Sequence, residues 1–465
     1  MKAYDLVVLG SGPAGEKAAL HAAYHGFKVA VVEKSAAFGG AGVNTGTLPS
    51  KTLKETALYL SGQRERRRYS VERVLNHEPT AADFLFRERY VVKTESEEFR
   101  LQLLGRHVDL YHGTGAFADA HTIEVHGETV ERLSGENILI ATGSSPAHAA
   151  GVPFDGRRVH DSDTIFQIDH VPPSLCVVGA GVIGCEYATI FAAMGSRVTL
   201  VNSHGDLLPF LDREVVRAFA EEVGKAGVEL RNGPQIQSVS VEQLPGGESV
   251  HARCADGTVL AADMFLYAVG RNGNTKDLGL DRAGLQAAEH GTLQVDAACR
   301  TAVPHIYAAG DVIGFPALGS TSMEQGRLAV IDMFGLHDLE RIARQFPFGI
   351  YTIPEMAMIG LTEEKAREQG IDFVVGRARH EDTPRGLILG LQCGFLKLIC
   401  DRQSQKILGA HLIGHSATEL IHYGMELVEN REPLKRVLGT VFNFPTLHEL
   451  YKYAAYDLWS RELKR

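Results

Sequence analysis

The 465-residue chain is predicted to be an α/β protein made of two doubly wound units followed by a separate α+β domain. Three observations carry that prediction. Two unalternating apolar runs, Leu6-Val-Val-Leu9 and Leu175-Cys-Val-Val178, each flow straight into a glycine fingerprint, Gly10-Ser-Gly-Pro-Ala-Gly15 and Gly179-Ala-Gly-Val-Ile-Gly184. Short β-branched runs without alternation mark strands buried on both faces, as in a parallel sheet flanked by helices. After residue 340 such fingerprints stop, and alternating pieces such as Gly394-Phe-Leu-Lys-Leu-Ile-Cys400 and Ile407-Leu-Gly-Ala-His-Leu-Ile-Gly414 take over. Length alone, at about 150 residues per domain, suggests about three domains.

In the first unit the fingerprint opens a predicted helix over residues 12–25, and Gly10, Gly12 and Gly15 let the backbone approach a pyrophosphate at the helix N-terminus. Glu33 ends the next predicted strand, Lys28-Val-Ala-Val-Val-Glu33, where an acid receives a ribose hydroxyl. Strand, helix, second strand and acid in register predict a Rossmann-like dinucleotide site. The second unit repeats the pattern about 170 residues later with Gly179, Gly181 and Gly184, but Asn202 stands at the position matching Glu33. An acid there would repel a 2′-phosphate, whereas a neutral amide beside Ser203 and His204 repels neither phosphate nor hydroxyl. The expectation is a nicotinamide site that accepts both NAD(H) and NADP(H).

Glycine-punctuated strand ends at Ala141-Thr-Gly-Ser-Ser-Pro146 and Ala268-Val-Gly-Arg-Asn-Gly273 are expected crossing points between the units, which adds Thr142, Gly143 and Gly270 to the candidate contacts. The run Thr301-Ala-Val-Pro-His-Ile-Tyr-Ala-Ala-Gly-Asp311 ends on a carboxylate placed to accept hydrogen bonds from a polyol chain such as ribityl. Two dinucleotides, one of them a flavin, are therefore expected. Leu318-Gly-Ser-Thr-Ser-Met-Glu-Gln-Gly326 reads as a helix start capped by Ser320 or Thr321, whose N-terminus would favour an anionic flavin ring.

Composition bounds the rest. The 47 basic and 57 acidic residues give a net charge of −10, against nucleic acid or anionic membrane as the main partner. Arg64, Arg66, Arg67, Arg68 and Arg73 cluster within residues 61–73 on a predicted helix, read as a solvated face. Six cysteines are scattered without C-x-x-C or metal spacing, so no zinc or other metal site is expected and a reducing cytoplasm fits. The start, Met-Lys-Ala-Tyr, leaves no room for a signal peptide, and no apolar stretch approaches the ~20 residues that span a bilayer. A cytoplasmic protein is the expectation.

With Pro49-Ser-Lys51 and the C-terminal domain, the order of these motifs resembles the flavoprotein pyridine nucleotide-disulfide oxidoreductases over essentially the whole chain. The resemblance implies FAD-binding and central domains at 1–147 and 271–340, an NAD(P) domain at 148–270, and a dimer-interface domain at 341–465 that makes a homodimer. Gly10, Gly12, Gly15, Glu33 and Asp311 would contact FAD, and Gly179, Gly181 and Gly184 the nicotinamide dinucleotide. Lys51 would sit near flavin N5 and pair with Glu186. The family's redox loop has the form Gly-Gly-x-Cys-x-Asn-x-Gly-Cys-x-Pro-Ser-Lys. Here the frame persists at Gly39, Gly40, Asn44, Gly46, Pro49, Ser50 and Lys51, but Gly42 and Thr47 replace both cysteines. The C-terminal His-Pro-Thr-x-x-Glu is likewise Phe444-Pro-Thr-Leu-His-Glu449. Sulfurs and general acid-base histidine are missing together, and neither Cys185 nor His448 is an obvious replacement. What the resemblance leaves is hydride exchange between flavin and nicotinamide, as in a soluble transhydrogenase working by a ping-pong cycle. The alternatives are a quinone reductase or diaphorase, using room left by Gly42 and Thr47, and a non-catalytic flavoprotein that acts as a binding partner.

Overall fold

A computed structural model gives the fold and describes residues 1–62, 79–203, 205–245, 247–337 and 345–463. Of the arginine cluster, everything beyond Gly62 lies outside the described residues, and so does His204. The first unit begins with β1 (Lys2–Leu9), whose residues 6–9 are fully buried, and α1 (Pro13–Tyr24), which starts with proline in its first turn after Gly12. β2 (Val29–Glu33) follows. Next come the short α2 (Gly40–Asn44), then α3 (Thr47–Leu60) and α4 (Ala81–Gly105). Residues 39–51 thus fold as two helices, entered through Gly39 and Gly40 at φ +95° and +57°.

β3 (Asp109–His112), β4 (Thr114–Asp119), β5 (Thr122–His126) and β6 (Val130–Ile140) complete the first sheet in the order β3-β2-β1-β6-β5-β4. β3, β2, β1 and β6 run parallel and β4 to β6 form an antiparallel meander. Each Val, Leu or Ile buried in β1, β2 and β6 contributes about 1.5–3 kcal/mol, and these residues form the floor of the unit.

The chain crosses out through β7 (Ser144–Pro146) and builds the second sheet from β8 (Val159–Asp161), β9 (Ser174–Val178), α5 (Val182–Ala193), β10 (Arg197–Asn202), α6 (Arg213–Lys225) and β11 (Val228–Asn232). An antiparallel meander of β12 (Ile236–Leu244), β13 (Gly247–Cys254) and β14 (Val259–Ala262) covers one side. β15 (Met264–Tyr267) closes the parallel order β11-β10-β9-β15-β8. The chain returns through β16 (Arg271–Gly273), which pairs antiparallel with β7. Both expected crossings are therefore one two-stranded hinge.

Residues 278–312 are mostly short turns packed on the first sheet, which β17 (Ile306–Ala308) joins beside β6. α7 (Gly319–Phe334) then lies against α1 so closely that a Cβ on Gly326 would sit 2.2 Å from Ala14 O. The expected hydroxyl cap is made by Thr321, though from inside the first turn: the residue before the helix is Leu318, whose N–H donates to Thr321 Oγ1 at 3.3 Å while Thr321 Oγ1 donates to Leu318 O at 2.9 Å.

The last unit is an antiparallel sheet of β18 (Phe348–Ile350), β19 (Met356–Gly360), β20 (Phe373–Arg379), β21 (Phe395–Asp401) and β22 (Ile407–Ile413), ordered β18-β19-β22-β21-β20. The helices Ala417–Glu429 and Glu449–Leu458 cover it. Lys397 of β21 is only 1% exposed and reaches Asp212 at 2.8 Å and Glu214 at 3.0 Å in the second unit. Charge so deeply buried is held by pairing, and it fixes the two units together. Among the described residues no helix is long and apolar enough to cross a membrane.

Candidate active site

The two fingerprints form two cradles of the same construction. A Cβ at Gly15 would stand 2.0 Å from Gly10 O, and one at Gly184 would stand 1.8 Å from Gly179 O. Gly10 and Gly179 have φ of +102° and +103°, and a side chain on either would strike the backbone carbonyl of Ala141 or Ala268. At Gly12 and Gly181, by contrast, a Cβ would meet nothing closer than 3.9 Å, so these two face open space at the start of α1 and α5. The first and third glycines let turn and helix pack. The middle one leaves the helix N-terminus open to a phosphate.

Around the first cradle Glu33 is buried, its Oε2 accepting from Ser11 N and Ser11 Oγ at 2.9 and 2.7 Å and its Oε1 from Ser35 N. Asp311 Oδ2 accepts from Ser144 Oγ at 2.8 Å, and Thr142 Oγ1 is buried with no hydrogen-bond partner. An orphaned hydroxyl beside a glycine cradle is the mark of a ligand atom to come, so these residues fit a flavin dinucleotide. Around the second cradle Asn202 is buried at the end of β10, its side-chain amide donating to Asn232 Oδ1 at 3.1 Å. Gly143 and Gly270, at φ +67° and +140°, flank the hinge with no atom within 4 Å of their would-be side chains.

Between the cradles Lys51 Nζ on α3 lies 2.9 and 2.7 Å from the two carboxylate oxygens of Glu186 on α5. Glu186 is 3% exposed and also accepts from Ser50 Oγ at 3.3 Å and from Tyr351 N at 3.0 Å, while the Lys51 side chain keeps 24% exposure. The expected pair is therefore made, at a point where all three units meet. One turn along α3, Lys54 pairs with Glu355, which also takes the main-chain N–H and hydroxyl of Thr418. Burial pushes the Glu355 carboxyl up, but Lys54 and Thr418 outweigh it and hold the carboxyl below its ordinary range.

The 42 and 47 positions offer no sulfur. A Cβ at Gly42 would stand 3.0 Å from Pro13 Cγ, and Thr47 is exposed at the start of α3. None of the six cysteines is in a disulfide. Cys185 is buried next to Glu186, and burial raises its thiol well above the ordinary range, which removes it as a nucleophile. Phe444 is 67% exposed, and burial lowers the proton affinity of His448, which stacks on Phe442 just ahead of the helix Glu449–Leu458.

Residues 4–326 match the family model of pyridine nucleotide-disulphide oxidoreductases, and residues 346–455 match that family's dimerisation domain. The chain belongs to this family. A soluble pyridine nucleotide transhydrogenase of Mycobacterium bovis is 43% identical over 464 residues, 99% of this chain and 98% of the relative. Another from Pectobacterium atrosepticum is 38% identical over 97% of each chain. Among solved structures, LpdA from Mycobacterium tuberculosis superposes with a TM-score of 0.89 at 27% identity, covering 98% of this chain and 99% of that one. The HOCl-induced flavoprotein disulfide reductase RclA from Escherichia coli gives 0.87 at 28%, covering 99% of each chain as its Cu(II) complex. As a member of this family the protein is a flavin- and pyridine-nucleotide-dependent oxidoreductase, and its C-terminal unit is a dimerisation domain.

Several partners in this oxidoreductase escape sequence reading. Ser11 lies inside the first fingerprint, so its bond to Glu33 could have been foreseen from position. Arg271 follows Gly270 directly, and it ties the hinge together by donating to Ser144 Oγ, Ser144 O and Asp163 Oδ1 at 2.8–2.9 Å. Nothing in the sequence around Tyr351 or Glu355 points to Glu186, Lys51 or Lys54, because those contacts join units far apart in the chain.

Proposed function

We propose that this protein is a soluble-type transhydrogenase that moves hydride between NADPH and NAD⁺ at one nicotinamide site by a ping-pong cycle. The observation that carries the proposal is the intact Lys51–Glu186 pair at the junction of three units, beside a loop without sulfur at positions 42 and 47. The transhydrogenase names of relatives that align over nearly the whole chain support it. On this reading Gly10, Gly12, Gly15, Glu33, Thr142, Gly143 and Asp311 hold FAD, and Gly179, Gly181, Gly184, Asn202 and Gly270 hold the nicotinamide dinucleotide. The domain bounds 1–147 with 271–340, 148–270 and 341–465 belong to the same proposal, as do homodimer formation through the last of them and a cytoplasmic location.

Bound FAD would supply a two-electron carrier for hydride exchange between a reduced and an oxidised nicotinamide. The protein's part is positional and electrostatic. Lys51 presents a fixed positive charge that stabilises electron density arriving next to it, and Glu186 orients the ammonium. The first cradle holds one pyrophosphate at the start of α1 and the second holds the other at the start of α5. With no loop sulfur to pass electrons onward, the second nucleotide is the exit.

The test is anaerobic mixing of the FAD-loaded protein with NADPH, then NAD⁺, while flavin absorbance is followed. Rapid bleaching and rapid recovery on NAD⁺ are expected. Bleaching that only a quinone reverses, or turnover of a dithiol substrate, would sink the proposal.

A further inference from the structure

The segment 351–355 of the C-terminal unit touches the redox pair at more points than any contact in the sequence suggests. Tyr351 N donates to Glu186 Oε1 at 3.0 Å. The ring of the same residue has Lys51 Nζ 5.0 Å and Lys54 Nζ 5.6 Å from its centroid, both within the range where an ammonium is attracted to an aromatic face. Two residues on, Ile353 N donates to Thr189 Oγ1 at 3.1 Å, and Thr189 Oγ1 donates to Glu186 O at 2.9 Å. Glu355 at the end of the segment pairs with Lys54 and is itself held by Thr418.

These contacts divide the work between two lysines three residues apart on α3. Like charges at that spacing repel, but Glu355 compensates Lys54, while Glu186 is shared between Lys51 and a main-chain N–H. Lys51 keeps 24% exposure, whereas Lys54 is buried, so Lys51 is the cation available at the open side.

We propose that Tyr351 is a positioning residue for the redox ion pair: its main-chain N–H holds Glu186 and its ring holds Lys51. The seating of the dimerisation domain thereby sets the charge presented to the flavin. Lys51 does not choose its own place. The inference deepens the proposed function and rests on Lys51 serving the flavin, so the experiment treats the two separately.

The full-length, FAD-loaded protein is compared with Tyr351→Phe, Tyr351→Met and, as control, Lys51→Met. The midpoint potential of the bound flavin is measured by dye equilibration without any nicotinamide, and the NADPH reduction rate and KM are measured by stopped flow. Tyr351→Phe keeps the ring, and the wild-type potential and a rate within about twofold are expected. Tyr351→Met keeps bulk but no ring face. A potential shifted in the same negative direction as in Lys51→Met and a reduction rate about tenfold lower are expected, with KM for NADPH unchanged.

A Tyr351→Met protein with wild-type potential and rate, while Lys51→Met is shifted, overturns the positioning role alone. A Tyr351→Phe protein as impaired as Tyr351→Met overturns it too, since the hydroxyl and not the ring would then matter. If Lys51→Met leaves the potential unmoved, the reading of Lys51 itself fails and this inference with it. If Tyr351→Met does not retain FAD, Tyr351→Trp, which keeps a ring face, is expected to retain it at the wild-type potential, and failure there overturns the proposal.

Discussion

Replacing Glu186 by Gln tests the centre of the mechanism with the least change of shape. The carboxylate meets donors on both oxygens: Oε1 takes Lys51 and Tyr351 N, and Oε2 takes Lys51 and Ser50 Oγ. A carboxamide has one acceptor and one donor end, so with its carbonyl toward Tyr351 N its NH₂ faces the Lys51 ammonium, and turning it over moves the clash to Tyr351 N. Two unit charges about 4 Å apart attract by about 4 kcal/mol at an effective dielectric of 20. Lys51 is 24% exposed, so water returns part of that, and about 1.5–2 kcal/mol is the net loss expected. This corresponds to a fall of about 10- to 30-fold in the rate of flavin reduction by NADPH. On the proposed assignment affinity for NADPH is set at the second cradle, and it should stay within about twofold. Stopped-flow bleaching across a range of NADPH concentrations separates the two quantities. Because three units need not unfold together, stability is best read as the temperature of FAD release, which should fall. A variant that reduces its flavin within twofold of wild type, or a Lys51→Met/Glu186→Gln double variant whose losses simply add, would refute the reasoning, since paired residues must couple.

Asn202→Glu places a carboxylate at the buried end of β10 beside Asn232, and NADPH affinity should fall about tenfold while NADH binding changes little; unchanged NADPH titrations would count against the assignment of Asn202 to specificity. Gly184→Ala drives a Cβ to within 1.8 Å of Gly179 O, so the purified variant should keep its yellow FAD spectrum but fail to bleach with NADPH; normal bleaching would place the nucleotide elsewhere. Glu88 is buried on α4, and burial pushes its carboxyl from the ordinary 4.5 up to about 6, against a smaller pull from Arg89. A raised carboxyl favours the protonated fold, so its penalty is full above pH 6 and disappears as the pH falls toward 4.5. Glu88→Gln should therefore stabilise the protein by up to about 2 kcal/mol at pH 7.5, with the advantage gone near pH 4.5; urea midpoints with the same gap at both pH values would contradict it.

The sequence carried the parts of this protein whose causes are local. Apolar runs before glycine fingerprints gave both parallel sheets because a strand buried on two faces needs unbroken β-branched residues, and Gly15 and Gly184 are required by carbonyls only five residues away. The same reading missed the turns over 278–300, which have no period of their own and take shape against the first sheet. It placed a hydroxyl cap on α7 at Ser320 or Thr321, and Thr321 makes it from inside the first turn, where its Oγ1 accepts from Leu318 N. Lys51 and Glu186 were paired by resemblance, and the fold brings them to 2.7 Å.

By itself, then, the sequence determined two glycine fingerprints at strand-to-helix turns, a stretch with Gly42 and Thr47 and no cysteine, and Lys51 close after it. Only the tertiary structure decided that Pro13 lies against Gly42, that Arg271 ties the hinge, and that Tyr351 and Glu355 reach in from the dimerisation domain. The physical reason is range. Backbone clashes and strand burial act between neighbours in the chain, whereas a buried ion pair gains its partners from whichever distant segments close over it.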